Sequence, residues 1–512
     1  MNSSTIEVTA EVIAEPPQIR TPESMSHDLQ RAAPDLQTLQ VEGGEQPLEQ
    51  DKIALSRRNK RLKHFLPTMS LDKYAEQKAN LRGKQQWGEK LGAANGSSQV
   101  ALAAELLAPP IITGPNIQGA SDVDGVMPPD THGAVGLHEF VETTNEHVDI
   151  FQRSNPTQRT SIPLRAFFGY SKQALFDARV VYDSVWNRWV IIADAFAESA
   201  TLQYQFIAVS TTPSATGSFF VYAVPVTFNS GDFWDYPQLG MDQDSIIITA
   251  NVFGTSVFRG AAMFAVAKAR LYNGWGFSVP VFTGLQATLA PPIVLDQNAK
   301  TFLIAAPGGN TLKLYTLTNS SRPNGISLTG PVDVPVDAYQ GPPSAPQPGT
   351  SAVLDTLDGR FVNASTQTGD FLWQVHTVNL VGFAAPKFYQ INTATHSVLQ
   401  KGFFFASGSS FDFNASIVAN GNNDIFLTWT STDPPAGINA QVRFSGCDHN
   451  AGPAVPGSGT AAFTSPTWFG GGRWGDYSAV TVDPLNPRQA WLVNEDILAT
   501  HDWGSRIVGI GF

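Results

Sequence analysis

The strongest constraint on this chain is a degenerate repeat in its last 400 or so residues. After Pro109, segments of small residues with an Asp recur, each followed after a turn by a run of β-branched or aromatic residues. The copies are PPDTHGAVGLHEFVETTNEHVDIF from Pro128, FDARVVYDSVWNRWVIIADAF from Phe176, DYPQLGMDQDSIIITANVF from Asp235 and PPIVLDQNAKTFLIAA from Pro291. SAVLDTLDGRFVNAS from Ser351, FDFNASIVANGNNDIFLTWTST from Phe411 and WGDYSAVTVDPLNPRQAWLVNED from Trp474 complete the set. Roughly 47 to 65 residues separate equivalent points, an interval that suits a four-stranded sheet.

Within each copy two strands read as a hairpin, such as VVYD with RWVIIADA or VTVD with AWLVNED. Linking runs such as QYQFIAVSTT, GAAMFAVAKARL, LKLYTLT and FLWQVHTVNL supply the remaining strands. Copies of one hairpin type at near-constant spacing fit radial repetition better than two stacked sheets. The expectation is an all-β, seven-bladed β-propeller over residues 109–512, with SRIVGIGF from Ser505 pairing at the edge of the first or last blade.

Residues 1–108 differ in kind, being rich in Pro, Gln, Glu and Ser. The first fifty are expected to be disordered. Helical composition is found around Gln50 to Phe65 and Leu71 to Lys90, and the apolar stretch Val100 to Leu107 is a candidate for docking on the propeller. The basic run SRRNKRLKH from Ser56 to His64 reads as a solvated face or tail, with a phosphate-rich partner as the sharper alternative. The opening residues lack both a basic start and a sustained apolar run, so neither a conventional signal peptide nor a membrane anchor is expected.

Charge narrows the partners. From residue 108 onward 25 Asp and 5 Glu face 13 Arg and 6 Lys, which argues against nucleic acid. Much of the Asp excess is expected at turns, where the short carboxylate bonds nearby N–H groups. The single cysteine, Cys447, excludes an intramolecular disulfide.

The segments PPDTHGAVG with VETTNEHVDIF, ARVVYDSVWNRWVI, DYPQLGMD, and GGRWGDYSAVTVDPLNPRQAWLVNED with WGSRIVGIGF resemble a family of bacterial β-propeller proteins, mostly exported and mostly uncharacterised. That family is related in fold to the sialidase-like propellers. The resemblance implies a propeller in an extracellular or cell-surface setting and carries no established substrate. The chain has no Ser-x-Asp-x-Gly-x-x-Trp box of the kind that marks many sialidases.

The leading carboxylates Asp130, Asp177, Asp235, Asp412 and Asp476 come from five copies, and a propeller turns such equivalence into proximity around one axis. Clustered carboxylates repel unless protonated, paired or neutralised by a cation. Calcium is the candidate ion, with Asp122 and Asp124 of SDVDG beside Asp130; turn capping is the plainer role. GGGRWGDYSA offers Arg473, Trp474, Asp476 and Tyr477 as an anion- or sugar-binding loop, with packing of Trp474 between blades and an Arg473–Asp476 pair as the plainer reading. Arg179, Tyr236 and His132 are further ligand-binding candidates. The expected function is recognition of a glycan, peptide or protein at one axial face by a monomer. The alternative is a sialidase-like enzyme, a glycoside hydrolase or lyase.

Overall fold

The computed structural model describes residues 5–12, 109–449, 454, 456–471 and 473–512. Its hairpins form where the sequence supplies a turn-capping side chain. Asp183 Oδ1 accepts from the N–H groups of Val185 and Trp186, Asp242 Oδ1 from those of Asp244 and Ser245, and Asp483 Oδ1 from that of Leu485. Asn420 does the same for Asn422 and Asp424. The second polar atom of each reaches the neighbouring blade. Asp183 pairs with Lys268 at 2.7 Å, and Asp242 accepts from Thr301 at 2.9 Å. Asp483 holds Arg153 at 2.6 Å, and Asn420 donates to the Pro487 carbonyl at 2.8 Å. Turn chemistry therefore also locks blade to blade.

Blade 1 comprises His132–Val135, Glu139–Thr143, His147–Gln152 and Asn155–Pro163. Blade 2 comprises Leu175–Asp183, Arg188–Ala195, Tyr204–Ser210 and Phe219–Pro225. Blade 3 runs from Phe233–Met241 through Ser245–Phe253 and Phe258–Ala267 to Phe277–Leu285. Blade 4 runs from Pro292–Val294 through Thr301–Ala305 and Gly309–Thr318 to Ser327–Tyr339. Ser365–Thr368, Phe371–Leu380, Phe383–Asn392 and Ser397–Phe403 make blade 5; Phe411–Ala419, Ile425–Asp433, Ile438–Cys447 and Thr460–Thr464 make blade 6. Blade 7 takes Ala479–Asp483, Asn486–Ala499 and Asp502–Gly511 from the C-terminus and its outer strand, Ile111–Ser121, from the other end of the propeller.

That exchange closes the ring, because Ile117 faces Ile507 and Ser121 faces Gly504 across an antiparallel ladder. The innermost strands neighbour one another in a full circle, with that of blade 7 beside that of blade 1. Apolar side chains collect in the seven clefts between adjacent sheets, as with Trp189 and Val148 between blades 1 and 2, or Phe426 and Leu492 between blades 6 and 7. Each sheet is covered on both faces, so its strands read as continuous apolar runs such as SIIITANVF.

Two expectations need correction. The fifth repeat does not begin its hairpin at SAVLD: Val353–Leu354 pairs with Ala345–Pro346 ahead of the blade, and FLWQVHTVNL is the second strand rather than a linking one. The true inner strand is the polar STQT, whose Thr366 and Gln367 side chains accept from the N–H groups of Ala419 and Phe302 in the flanking blades. Within the opening fifty residues, Thr5–Val12 is a strand, paired with the outer strands of blades 2 and 3. The helical patches, the basic run and Val100 to Leu107 lie outside the described residues.

Candidate functional site

The inner strands of blades 2, 3 and 6 are bulged between Phe176 and Arg179, Asp235 and Gln238, and Phe413 and Ser416. The bulge holds a left-handed residue in each case: Asp177 (φ 53°), Tyr236 (φ 66°) and Asn414 (φ 50°). Asp130 (φ 51°) and Thr288 (φ 49°) adopt the same conformation just ahead of the inner strands of blades 1 and 4. Side chains with a Cβ adopt it only where their surroundings impose it. Here it brings residues from separate blades to one axis.

Arg179 is the hub. Its guanidinium donates to the carbonyls of Pro237 (3.1 Å) and Val362 (2.9 Å) and to Asn363 Oδ1 (3.0 Å), and lies 3.4 Å from the Tyr477 ring centroid. Asn363 continues the network by donating to Ser416 Oγ, which bonds Ser478. One arginine of blade 2 thereby ties together segments of blades 3, 5, 6 and 7. Tyr477 donates to Asp177 Oδ2 at 2.7 Å and meets the Tyr236 ring edge-on at 5.2 Å. Asp130 accepts from the Asp476 N–H and from Asn145, both at 2.7 Å, and Asn145 accepts in turn from the Asp177 N–H.

Burial decides the protonation of this cluster. Asp177, Asp194 and Glu495 are held well above the usual carboxylate range by burial and then by neighbouring carboxylates, and Asp130 is pushed up to about 6 by burial and Asp476. Arg473 donates to Asp476 at 2.7 Å; burial alone would lower its pKa, but Asp476 and Asp130 more than offset that. Carboxyl repulsion is thus relieved by protonation and ion pairing. His132 is kept neutral by burial and by Arg179, and its Nδ1 accepts from the Val180 N–H at 3.3 Å.

Beside the hub lies a narrow cleft, walled by the segment leading into blade 5 and by blades 5 and 6, with Gly475 at one side. Asp355, Asp358, Arg360, His376, Thr377 and Asn414 give it a polar lining. Arg360 is gripped by Asp358, donates to Thr288 Oγ1 at 2.8 Å and sits 5.4 Å from the Tyr236 ring centroid. Asn414, which lines the cleft, has a buried Oδ1 with no hydrogen-bond partner in the protein, and Tyr236 Oη, Arg473 Nε and Trp474 Nε1 are likewise buried and unpartnered. Asp355, Asp358, Arg360 and Asn414 were not among the sequence candidates, although DTLDGR carried the needed charges within the misaligned fifth repeat.

Of the candidates, Asp130, Asp177, Asp235, Asp476, Arg179, Arg473, Tyr236, Tyr477 and His132 gather at the axis. Asp412 does not: it accepts from Trp429 Nε1 (2.8 Å), Ser410 and the Ala406 N–H, bracing blade 6 internally. The bulge gives the axial position to Asn414, two residues on. Trp474 offers no stacking face, because it is buried edge-on against Phe413 and Phe469.

The metal expectation moves as well. Asp122 Oδ1 accepts from the Gly125 N–H, while Glu146 takes the N–H groups of Val123, Asp124 and Val126; Asp130 belongs to the hub instead. Among the described residues, the carboxylate and imidazole atoms that gather within 4.8 Å are those of Asp424, Asp448 and His449, which could hold a metal. An imidazole in the set suits zinc or another transition ion better than calcium, which prefers oxygen throughout.

No family model matches the sequence, and no curated protein matches it. Solved structures do. An exo-β-1,3-galactanase from Phanerochaete chrysosporium is 10% identical with a TM-score of 0.31, over 78% of this chain and 96% of that one. Trypanosoma rangeli sialidase is 11% identical with a TM-score of 0.38, over 71% of this chain and 57% of that one. A protein of unknown function from Dyadobacter fermentans is 10% identical with a TM-score of 0.36, over 65% and 93%. At these TM-scores the likenesses carry no argument about chemistry, and the propeller rests on its own strand pairing. No helix among the described residues is long and apolar enough to cross a membrane.

Proposed function

We propose that this chain is a recognition propeller that binds a hydroxyl-rich ligand, a glycan residue, in the axial cleft. The observation that carries this reading is the polar lining of the cleft, Asp355, Asp358, Arg360, His376, Thr377 and Asn414, with Asn414 Oδ1 left without a partner in the protein. Neighbouring sugar hydroxyls donate and accept at close spacing, which matches such a mixed lining. The hub beneath is committed to itself, so its aspartates act as framework. A glycan array with product analysis tests the reading: retention of a glycan with no cleavage is expected. Turnover of the retained glycan, or binding of peptides only, would overturn it. An extracellular or cell-surface setting belongs to the same proposal and is checked by cell fractionation.

A hydrolytic or lyase reading is favoured by one feature, the upward pKa shifts that burial and neighbouring carboxylates give Asp130 and Glu495 beside Asp476. Replacement of Asp476 by Asn separates the two: lost turnover in a folded variant supports the enzyme, and absence of any turnover in the unaltered chain removes it.

A further inference from the structure

The outer strands of the seven blades are not alike. Those of blades 1, 4, 5 and 6 read NPTQRTSIP, SLTGPVDVPVDAY, SVLQKGF and TAAFT, with most positions exposed or half-exposed. Those of blades 2 and 3 read FFVYAVP and FSVPVFTGL, with Phe219, Val221, Tyr222, Val279 and Val281 buried. An apolar outer strand with free N–H and C=O groups recruits another strand.

In this chain the recruited strand is Thr5–Val12. It runs antiparallel to both neighbours, with Thr5 to Ala10 opposite Phe282 to Phe277 of blade 3, and Glu11 and Val12 opposite Ala223 and Tyr222 of blade 2. Two blades become one continuous sheet. The sequence TIEVTAEV alternates β-branched or small apolar residues with Thr and Glu, the period of a strand with one covered face. Residues 13–108, which are 108 − 12 = 96 in number, separate it from the propeller. At ~3.3 Å per extended residue such a connection can reach far past the domain, so it does not force the strand home.

We propose that the rim between blades 2 and 3 is a strand-acceptor site for an extended peptide of the TIEVTAEV type, and that Thr5–Val12 is its exchangeable occupant in cis. Recognition is by β-augmentation: the main chain provides the hydrogen bonds and the alternating apolar positions provide selectivity. A tether of this length gives an effective concentration on the order of 1 mM, so the chain's own strand holds the site against dilute competitors. Once that strand is disabled, the same peptide binds in trans.

The test uses the full-length chain and a fluorescent peptide copying residues 3–14. A Val8→Pro chain, whose own strand loses an N–H and its extended geometry, should bind the peptide at least about 10-fold more tightly than the unaltered chain. A peptide carrying the same Val8→Pro change should bind neither. Hydrogen exchange gives a second readout that needs no variant: excess unlabelled peptide should speed exchange in residues 5–12 of the unaltered chain while residues 219–225 and 277–285 stay protected. Equal peptide affinity for the two chains, or exchange in residues 5–12 that is fast from the outset and indifferent to peptide, would overturn the proposal.

Discussion

Replacing Asp183 by Ala should be among the most damaging changes away from the axis. Its Oδ2 holds Lys268 at 2.7 Å and accepts from Tyr272 Oη at 2.6 Å, while Oδ1 caps Val185 and Trp186. The Lys268 side chain is only 5% exposed, so Ala would leave a buried ammonium without its counter-charge. Losing one partner of a buried pair costs about 3–5 kcal/mol. The freed N–H groups add little, because Val185 and Trp186 are exposed and water can reach their turn. With an unfolding entropy of about 2.1 cal/mol/K per residue over about 400 residues, 4 kcal/mol is a fall of roughly 5 °C in Tm. Adding Lys268→Met to Asp183→Ala should recover most of the loss, since it removes the stranded charge. Asp333→Ala, which breaks the more exposed pair with Lys313, should cost under about 1 kcal/mol. Thermal melts followed by circular dichroism read all four chains. A fall below about 1 °C for Asp183→Ala, or a double variant weaker than the single, would refute the clamp between blades 2 and 3.

Further consequences follow from the axis and the seam. Arg179→Lys keeps the charge but cannot reach Pro237, Val362 and Asn363 together; a loss of about 2–3 kcal/mol is expected in denaturant titrations, and a neutral result would remove Arg179 as the hub. Glu142, which accepts from the Ala120 N–H and Thr131 where the closing strand meets blade 1, is pushed up to about 7 by burial and by Asp149. The folded chain therefore keeps this proton at pH values where the unfolded chain has lost it, and stability from this group falls as pH rises from about 4.3 through 7. Tm should decline over that window, and Glu142→Gln, an isostere of the protonated acid, should flatten the decline; an unchanged slope would count against it.

The fold was legible because a sheet covered on both faces writes itself as an unbroken apolar run, and because Asp183, Asp242 and Asp483 mark hairpin turns. Legibility failed where polar side chains replace apolar packing. STQT of blade 5 uses Thr366 and Gln367 to bond its neighbours, so a search for apolar runs passes over it. Thr5–Val12 has a readable period of two, but the composition around it points to disorder. At the axis the residue types were visible and their aim was not. A bulge moves the axial place from Asp412 to Asn414, and nothing in local composition reports a left-handed residue inside a strand.

Calorimetry on the axial cleft tests the central claim most directly. A glycan retained on the array is titrated into the unaltered chain, Asp355→Asn and Asp412→Asn, with Tm measured alongside. Asp355 lines the cleft, whereas Asp412 braces blade 6 internally. Loss of a charged hydrogen bond of about 1.5–3 kcal/mol weakens binding about 10- to 100-fold. The expected result is that weakening in Asp355→Asn with Tm unchanged, and unweakened binding in Asp412→Asn with Tm lowered. Equal affinity in all three chains would place the ligand elsewhere and contradict the account.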